Sequence, residues 1–334
     1  MHVFELTRRL VDIESITPNE RAIGDFLFEY LSEMAHRFDG AVERMPVEEG
    51  RSNVFVRFGD PVVVLSTHMD TVPPFIASRE DDRFIWGRGA CDTKGIIAAM
   101  MTASEQLLGA GKRNFGMLFV VGEERNSAGA QMAAKNPRGS RFLINGEPTE
   151  NQLALGSKGA LRFEIVASGK MAHSAYPELG ESAIEKLLNA LERVRRVAMP
   201  MDNILGASTL NIGTIQGGRA PNVIPDSAQA EIFIRVVGDV TKLREDVPAA
   251  TQPDAVANEV LSIPALHLGT MDGFKTTVVA FATDIPAFEG AWGEPYLIGP
   301  GSIHVAHTAE ERIPKDQLQE AVGIYANLVE RLGR

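Results

Sequence analysis

The pattern of apolar and polar positions divides this chain into predicted helices and strands. Short uncharged runs at 62–65, 117–121 and 142–144 are typical of buried strands in a mostly parallel sheet. Further strands are predicted at 54–57, 160–168, 208–216, 228–236, 276–281 and 296–298. Helical spacing of apolar residues predicts helices at 3–14, 18–36, 95–109, 127–134, 181–196, 239–247 and 314–332.

The length and the order of these elements predict two domains. A chain of 334 residues exceeds the size at which a single core usually stops growing. Between 158 and 264 the predicted order is strand, helix, strand, strand, helix, which indicates a small α/β sandwich. We therefore predict an α/β fold in which 1–157 and 265–334 form a mostly parallel-sheet catalytic domain. The smaller domain, 158–264, is inserted into it.

Charge and composition narrow the classes of partner. The net charge of −11 predicts no nucleic-acid partner and no anionic membrane partner, although a local arginine can still bind an anionic small molecule. The single cysteine, Cys91, leaves no intrachain disulfide and fits a reducing cytoplasm. No uncharged apolar run approaches the ~20 residues that a membrane-spanning helix needs.

Acidic and histidine residues follow three of the predicted buried strands. His68, the pair Glu123-Glu124, and Glu147 each come directly after or shortly after an apolar run. The carboxyl ends of parallel strands meet at one edge of a sheet, so these side chains are expected to lie together. Nitrogen and carboxylate ligands suit zinc or a similar divalent ion. From these runs alone, a surface turn at His68 and solvated charge at the two glutamates remain alternatives.

Five stretches give a more specific signal when they are read together and in order. They are 62–70, 86–95, 117–124, 142–149 and 299–307. In order and spacing they resemble the di-zinc amidohydrolase family that includes acetylornithine deacetylase, succinyl-diaminopimelate desuccinylase, aminoacylase and the glutamate carboxypeptidases. The resemblance covers the chain from about residue 60 to residue 312.

The resemblance implies a site for two divalent ions, zinc or cobalt. Two sets of ligands share one bridging carboxylate: His68, Asp92 and Glu147 for one ion, and Asp92, Glu124 and His307 for the other. Glu123 is then the general base. Asp70 lies two residues after His68, so in an extended segment it points the same way and can fix the histidine tautomer.

Three neighbouring residues have alternative interpretations. Asp92 could cap the helix that follows it, which is compatible with a bridging role. Cys91 could be a thiolate ligand in isolation, but the resemblance makes it a small packed residue. His304 lies three residues before His307 and receives no metal role, because the family pattern has no histidine there.

The same resemblance implies that the inserted domain is a lid that forms a homodimer. His173 would reach the partner's active site and help to polarise the scissile carbonyl. Asn222 and Arg235 match polar lid residues, and the guanidinium of Arg235 suits a substrate carboxylate. A loop histidine without a role and a surface strand arginine remain the alternatives.

The substrate prediction rests on the segments 281–286 and 299–303, which most resemble the acetylornithine deacetylase branch. Thr283 and Gly301 are therefore predicted to contact substrate. The expected reaction releases acetate from N-acetylornithine in the cytoplasm, as a step of arginine biosynthesis. The alternatives are deacylation of N-acetyl-lysine, N-acetylcitrulline or an N-succinyl amino acid, and di- or tripeptide hydrolysis. A non-catalytic metal-binding protein is the alternative from a different class.

Overall fold

A computed structural model describes all 334 residues. The helices are α1 (Val3–Val11), α2 (Arg21–Phe38), α3 (Gly95–Gly109), α4 (Ala128–Ala134), α5 (Ala183–Val194), α6 (Thr241–Thr251) and α7 (Lys315–Leu332). The strands are β1 (Ala41–Glu48), β2 (Arg51–Phe58), β3 (Val63–His68), β4 (Arg79–Glu80), β5 (Phe84–Trp86), β6 (Phe115–Val120), β7 (Phe142–Asn145), β8 (Leu153–Ser157), β9 (Gly159–Ser168), β10 (Ala172–His173), β11 (Met201–Asp202), β12 (Gly206–Ala207), β13 (Thr209–Gly217), β14 (Val223–Ile224), β15 (Ser227–Val236), β16 (Val256–Ile263), β17 (Leu266–His267), β18 (Thr276–Val279), β19 (Glu294–Leu297) and β20 (Arg312–Pro314).

The chain divides into two compact units. The first unit comprises Met1–Leu155, Leu268–Thr277 and Thr283–Arg334, and the second comprises Gly156–His267 and Val278–Ala282. The sequence prediction placed the boundaries at 157/158 and 264/265. No helix has both the length and the apolar character that crossing a membrane requires.

The first unit is built on a six-stranded sheet in the order β1-β2-β6-β3-β7-β19. Strands β6, β3, β7 and β19 run parallel to one another. At the other side of the sheet, β2 runs antiparallel to both of its neighbours, β1 and β6. Every residue of β3 and β6 is buried, as expected for central strands covered on both faces. The predicted mostly parallel α/β sheet is therefore confirmed.

Helices and strands of the first unit share a large apolar core. Buried side chains of α1, α2, α3 and α7 pack together with those of β2, β3 and β6. Helix α3 is buried on nearly all sides, which explains its run of alanine, isoleucine and methionine. This core holds the central strands in place, and with them the histidine and the glutamates at the strand ends.

The parallel register brings three strand ends to one edge of the sheet. His68 at the end of β3 pairs with Val120 at the end of β6. Ser66 of β3 pairs with Asn145 at the end of β7. The residues that follow β6 and β7 therefore emerge beside His68.

The second unit contains a four-stranded antiparallel sheet in the order β13-β15-β9-β16. Alternate residues of β9 and β15 are buried and form a separate core with α5 and α6. The predicted three-strand order omitted β16. That strand lies at the sheet edge and is mostly exposed, so its sequence shows no regular alternation of apolar and polar residues.

Candidate metal centre

His68 is held in a fixed orientation at the end of β3. Its Nδ1 lies 3.0 Å from the backbone oxygen of Asp70 and 3.5 Å from that residue's Oδ1. Its Nε2 faces Oδ1 of Asp92 at 3.0 Å. With Nδ1 protonated and donating to Asp70, Nε2 is left free to bind a metal.

The carboxylate of Asp70 also organises the turn after β6. It accepts hydrogen bonds from the backbone N–H groups of Glu123 and Glu124, each at 3.2 Å, and from the hydroxyl of Thr17 at 2.6 Å. A single buried carboxylate thus links the His68 strand end to the two glutamates. The His-x-Asp spacing did not predict that Asp70 also accepts hydrogen bonds from the backbone of Glu123 and Glu124.

Asp92 lies between two histidines. Its Oδ1 is 3.0 Å from Nε2 of His68, and its Oδ2 is 3.2 Å from Nε2 of His307. Its side chain is nearly buried, with the residue 5% exposed. The two oxygens of one carboxylate therefore face two separate imidazoles, as a bridging ligand would.

Glu124 and Glu147 extend this arrangement in different ways. Oε1 of Glu124 lies 3.1 Å from Nε2 of His307, and ligand atoms of His68, Asp92 and Glu124 lie within 4.8 Å of one another. Glu147 is buried beside these groups, and its Oε1 has no hydrogen-bond partner. A buried carboxylate oxygen without a partner is costly, so it is expected to bind a cation.

The pKa values of these groups reflect close packing of opposite charges. Burial disfavours the charge of His68, but its contacts with Asp70 and Asp92 outweigh that cost and raise its pKa well above the ordinary value. Hydrogen bonds to Asp92 and Glu124 raise the pKa of the half-exposed His307 to about 10. Burial opposes ionisation of Asp92, yet its contacts with both histidines lower its pKa.

Glu123 and Glu147 show a pKa shift opposite to that of Asp92. Burial, together with neighbouring carboxylates, raises the pKa of Glu123 and of Glu147 well above the ordinary value. Glu123 is nevertheless partly exposed to solvent, whereas Glu147 is buried. A glutamate with a raised pKa and access to solvent is suited to take up a proton.

The residues present fit two divalent ions. Ligand atoms bound at ~2.0–2.1 Å to a tetrahedral zinc lie about 3.3 Å apart. The observed nitrogen–oxygen separations of 3.0–3.2 Å are close to that value. The surplus of carboxylates and the unpartnered oxygen of Glu147 both favour cation binding.

Sequence reasoning missed two threonines that tie the ligand-bearing segments together. The hydroxyl of Thr93 donates to the backbone oxygen of His68 at 2.6 Å. The hydroxyl of Thr67 lies 2.7 Å from the backbone oxygen of Gly146 and 2.9 Å from Oγ1 of Thr93. Thr67, Thr93 and Gly146 each adjoin a proposed ligand in the sequence. Nothing in the local sequence, however, distinguishes these two threonines from threonines without such a role.

Asp284 is a third residue that sequence reasoning did not assign to the site. It is buried, and neither carboxylate oxygen makes a well-formed hydrogen bond, although Ser127 lies nearby. Burial raises its pKa to about 7, and the charges of His68, Asp70 and Glu124 also act on it. Its neighbour Thr283 was predicted to contact substrate. That hydroxyl is buried and accepts a hydrogen bond from Ile285 at 3.3 Å.

The structure also shows the surroundings of Gly301, Cys91 and His304, which lie in or beside the predicted motifs. Gly301 has φ +90°, and a Cβ there would lie 2.7 Å from Cβ of Cys91, so the position favours glycine. Cys91 is a buried free cysteine, and burial raises its pKa well above the ordinary value. His304 is exposed and is absent from the site's hydrogen bonds.

The predicted lid residues all lie in the second unit. His173 pairs with Val223 in the β10–β14 ladder, and the backbone N–H of Ser174 donates to the backbone oxygen of Asn222 at 3.1 Å. His173 and Asn222 are thus neighbours, and both are exposed. Arg235 is half-buried on β15 over the ring of Phe233, and it has no acidic partner.

Comparison with known proteins identifies the family. The model of peptidase family M20/M25/M40 matches residues 64–331 of the chain. The chain belongs to this M20 family. The predicted family resemblance is therefore confirmed, whereas closeness to the acetylornithine deacetylase branch stays a prediction.

Individual relatives of this M20 protein agree with the assignment. A peptidase M20 domain-containing protein of Schizosaccharomyces pombe is 38% identical over 340 residues, which cover 98% of this chain and 84% of that protein. A probable carboxypeptidase of Aspergillus terreus is 39% identical over 371 residues, covering 97% and 84%. The crystal structure of aminopeptidase PepT from Bacillus cereus matches with a TM-score of 0.79 and 19% identity, covering 99% of this chain and 98% of that chain. This last likeness shows the fold alone.

Metal binding is expected to release protons. The pKa of His307 is raised to about 10, and those of His68 and Glu147 lie well above their ordinary values. A metal must displace the proton of His307, so zinc affinity should rise with pH up to about pH 10. Calorimetric titration of metal-free protein near neutral pH, in buffers of different ionisation enthalpy, should show protons released as zinc binds. No dependence on the buffer would mean that the ligands are already deprotonated.

Proposed function

We propose that this M20 protein hydrolyses the amide bond between an acyl group and a C-terminal amino acid that carries a free α-carboxylate. N-acetylornithine is the first candidate substrate, and other N-acyl amino acids and short peptides belong to the same chemical class. The observation that carries the proposal is the position of Asp92, whose two oxygens face His68 and His307. The carboxypeptidase name of the Aspergillus terreus relative supports a substrate with a free carboxylate.

Two divalent ions would be held by five side chains. The proposed ligand sets are His68, Asp92 and Glu147 for one ion and Asp92, Glu124 and His307 for the other. When bound, such ions lower the pKa of a water and polarise a carbonyl group. The imidazoles and carboxylates supply the nitrogen and oxygen donors that zinc and cobalt accept.

Glu123 is proposed as the general base. Its backbone is fixed by Asp70, its side chain is partly exposed, and its raised pKa makes it a better proton acceptor than an ordinary glutamate. It would take a proton from the attacking water and deliver that proton to the leaving nitrogen. The adjacent Glu124 contacts His307 instead, so the two glutamates have separate tasks.

A substrate panel tests the proposal most directly. The protein, loaded with zinc or cobalt, should be assayed on N-acetylornithine, N-acetyl-lysine, N-acetylcitrulline, N-succinylornithine, dipeptides and tripeptides. Each substrate should be paired with its C-terminal amide as a matched control. We expect cleavage of one or more free acids and little cleavage of the corresponding amides.

Two results would contradict the proposed function. Release of N-terminal residues regardless of the C-terminal carboxylate would indicate an aminopeptidase. Binding of two metal ions with no hydrolysis of any substrate would favour a non-catalytic metal-binding protein.

Arg235 is proposed to bind the substrate carboxylate. Its guanidinium lacks an acidic partner, and burial lowers its pKa, so an anionic ligand would satisfy an otherwise unpaired charge. Arg235→Gln should raise KM about 10–100-fold for free-acid substrates, which corresponds to ~1.4–2.8 kcal/mol of lost binding. The metal content should stay unchanged. Equal KM values for both proteins would show that another group binds the carboxylate.

A homodimer with shared active sites is proposed from the His173 motif. Mixed dimers of inactive His173→Ala and inactive Glu123→Gln subunits should then contain one site with an intact base and an intact histidine. Random exchange of equal amounts should restore up to about a quarter of wild-type activity, since half the dimers are mixed. Absence of recovery after confirmed subunit exchange would mean that His173 does not act in a partner's site.

A further inference from the structure

Arg88 and Glu311 form a buried ion pair behind the proposed metal centre. Nη1 of Arg88 contacts Oε2 of Glu311, and both side chains are almost completely excluded from solvent. Arg88 lies four residues before Asp92, and Glu311 lies four residues after His307. The pair therefore joins two segments that each carry a proposed metal ligand.

The carboxylate of Glu311 also contacts the ligand-bearing backbone directly. Its Oε1 accepts a hydrogen bond from the backbone N–H of Asp92 at 3.3 Å. Its backbone oxygen accepts one from Gly87 at 3.0 Å. On the other side of the pair, Nε of Arg88 donates to the backbone oxygen of Pro74 at 3.3 Å. Glu311 is thus bonded to the segment 87–92 through both its side chain and its backbone, and Arg88 also contacts the chain at Pro74.

Stability alone does not account for a buried ion pair in this position. Desolvation of two charges offsets much of their attraction, and an apolar pair of similar size is often equally stable. An apolar pair could not accept the Asp92 N–H, and it could not impose the directional contact between the two segments. What only the ion pair can provide is therefore a fixed position of the Asp92 segment relative to the segment that carries Glu311.

We propose that Arg88 and Glu311 are positioning residues that set the placement of Asp92 relative to His307. This inference rests on the proposed metal centre. The pair would matter most for the ion bound by Asp92, Glu124 and His307. The other ion has independent support, since His68 lies on β3 and the Thr67 and Thr93 hydroxyls tie its ligand segments together.

The test separates folding from metal binding. The double variant Arg88→Met with Glu311→Leu replaces the pair by apolar side chains of similar size. We expect a folded protein whose melting temperature falls by a few degrees at most, because the Asp92 N–H loses its acceptor. We also expect a second metal equivalent that binds about 10–100-fold more weakly, the usual effect of removing support behind a ligand. The first equivalent should change by less than about threefold. Zinc affinities are measured on metal-free protein by competition with a chelator, and the cobalt absorption spectrum reports the coordination geometry.

Glu311→Gln is the second variant, for use if the double variant does not fold. Its amide oxygen can still accept the Asp92 N–H, so it should lose less affinity for the second equivalent than the double variant or Glu311→Ala. Arg193→Met is the matched control, because Arg193 pairs with Asp254 and caps backbone oxygens in the second unit. It should lower the melting temperature without changing either metal affinity.

The outcomes distinguish this inference from the proposed function. Wild-type protein that binds fewer than two equivalents would overturn both. Two equivalents in wild type, with both affinities retained in a folded double variant, would overturn the positioning role alone. An equal loss of both equivalents would also overturn it, because the pair would then act on the site as a whole.

Discussion

Glu123→Gln is expected to reduce kcat by about 10²–10⁴-fold while the protein still binds two metal ions, because a positioned general base contributes that much to proton transfer. Glutamine keeps the size of the side chain but cannot accept the proton from water. The backbone contact of Glu123 with Asp70 does not involve its side chain and should survive. The rate is measured with the preferred substrate, and the metal content by elemental analysis.

Glu124→Gln is the matched control for this prediction. Glu124 contacts His307 and is a proposed ligand, so its substitution should weaken one metal site as well as the rate. Identical metal content and identical residual rates in the two variants would contradict the division of roles. A loss of metal in Glu123→Gln alone would reverse the assignments.

Asp92→Ala is expected to have the largest effect of any single substitution. Asp92 faces both histidines, so its removal deprives both ions of a ligand. Bound metal ions contribute several kcal/mol to catalysis, so kcat/KM should fall by at least about 10⁴-fold. The metal content of the purified variant should fall below one equivalent. The folded state is checked by circular dichroism, since the substitution also removes one of the two acidic partners of His68 and of His307.

Asp60→Ala provides a comparison for Asp92→Ala. Asp60 is an exposed aspartate near Arg57, outside the cluster of proposed ligands. Its substitution should leave both the metal content and kcat/KM unchanged. Retention of two ions and of a wild-type rate in Asp92→Ala would rule out a bridging role.

The central strands and the ligand-bearing ends could be predicted because burial on both faces leaves a clear apolar run. Strands β3 and β6 follow this rule. Edge strands do not: β1 contains Pro46 and a single buried residue, and β16 has no buried residue. Neither strand was predicted, since each carries little of the alternation that sequence patterns detect.

The supporting residues of the site were harder to predict than the ligands. Glu311 follows Glu310 and looks like surface charge in the sequence, yet it is buried against Arg88, a residue distant in the chain. The choice between His304 and His307 depended on the family resemblance, because spacing alone does not decide it. In the structure His307 has φ 63° and faces Asp92 and Glu124, whereas His304 forms no hydrogen bond or ion pair with either carboxylate. Such contacts form only in the folded chain, so local sequence carries no signal for them.

Metal dependence is the central claim, and one measurement tests it most directly. The protein is stripped of metal with a chelator, and elemental analysis verifies the result. Hydrolysis of the preferred N-acyl amino acid is then followed during titration with zinc or cobalt. The proposed centre predicts no activity without metal and a recovery that is complete at two equivalents per chain. Full activity in protein verified to be metal-free would contradict it.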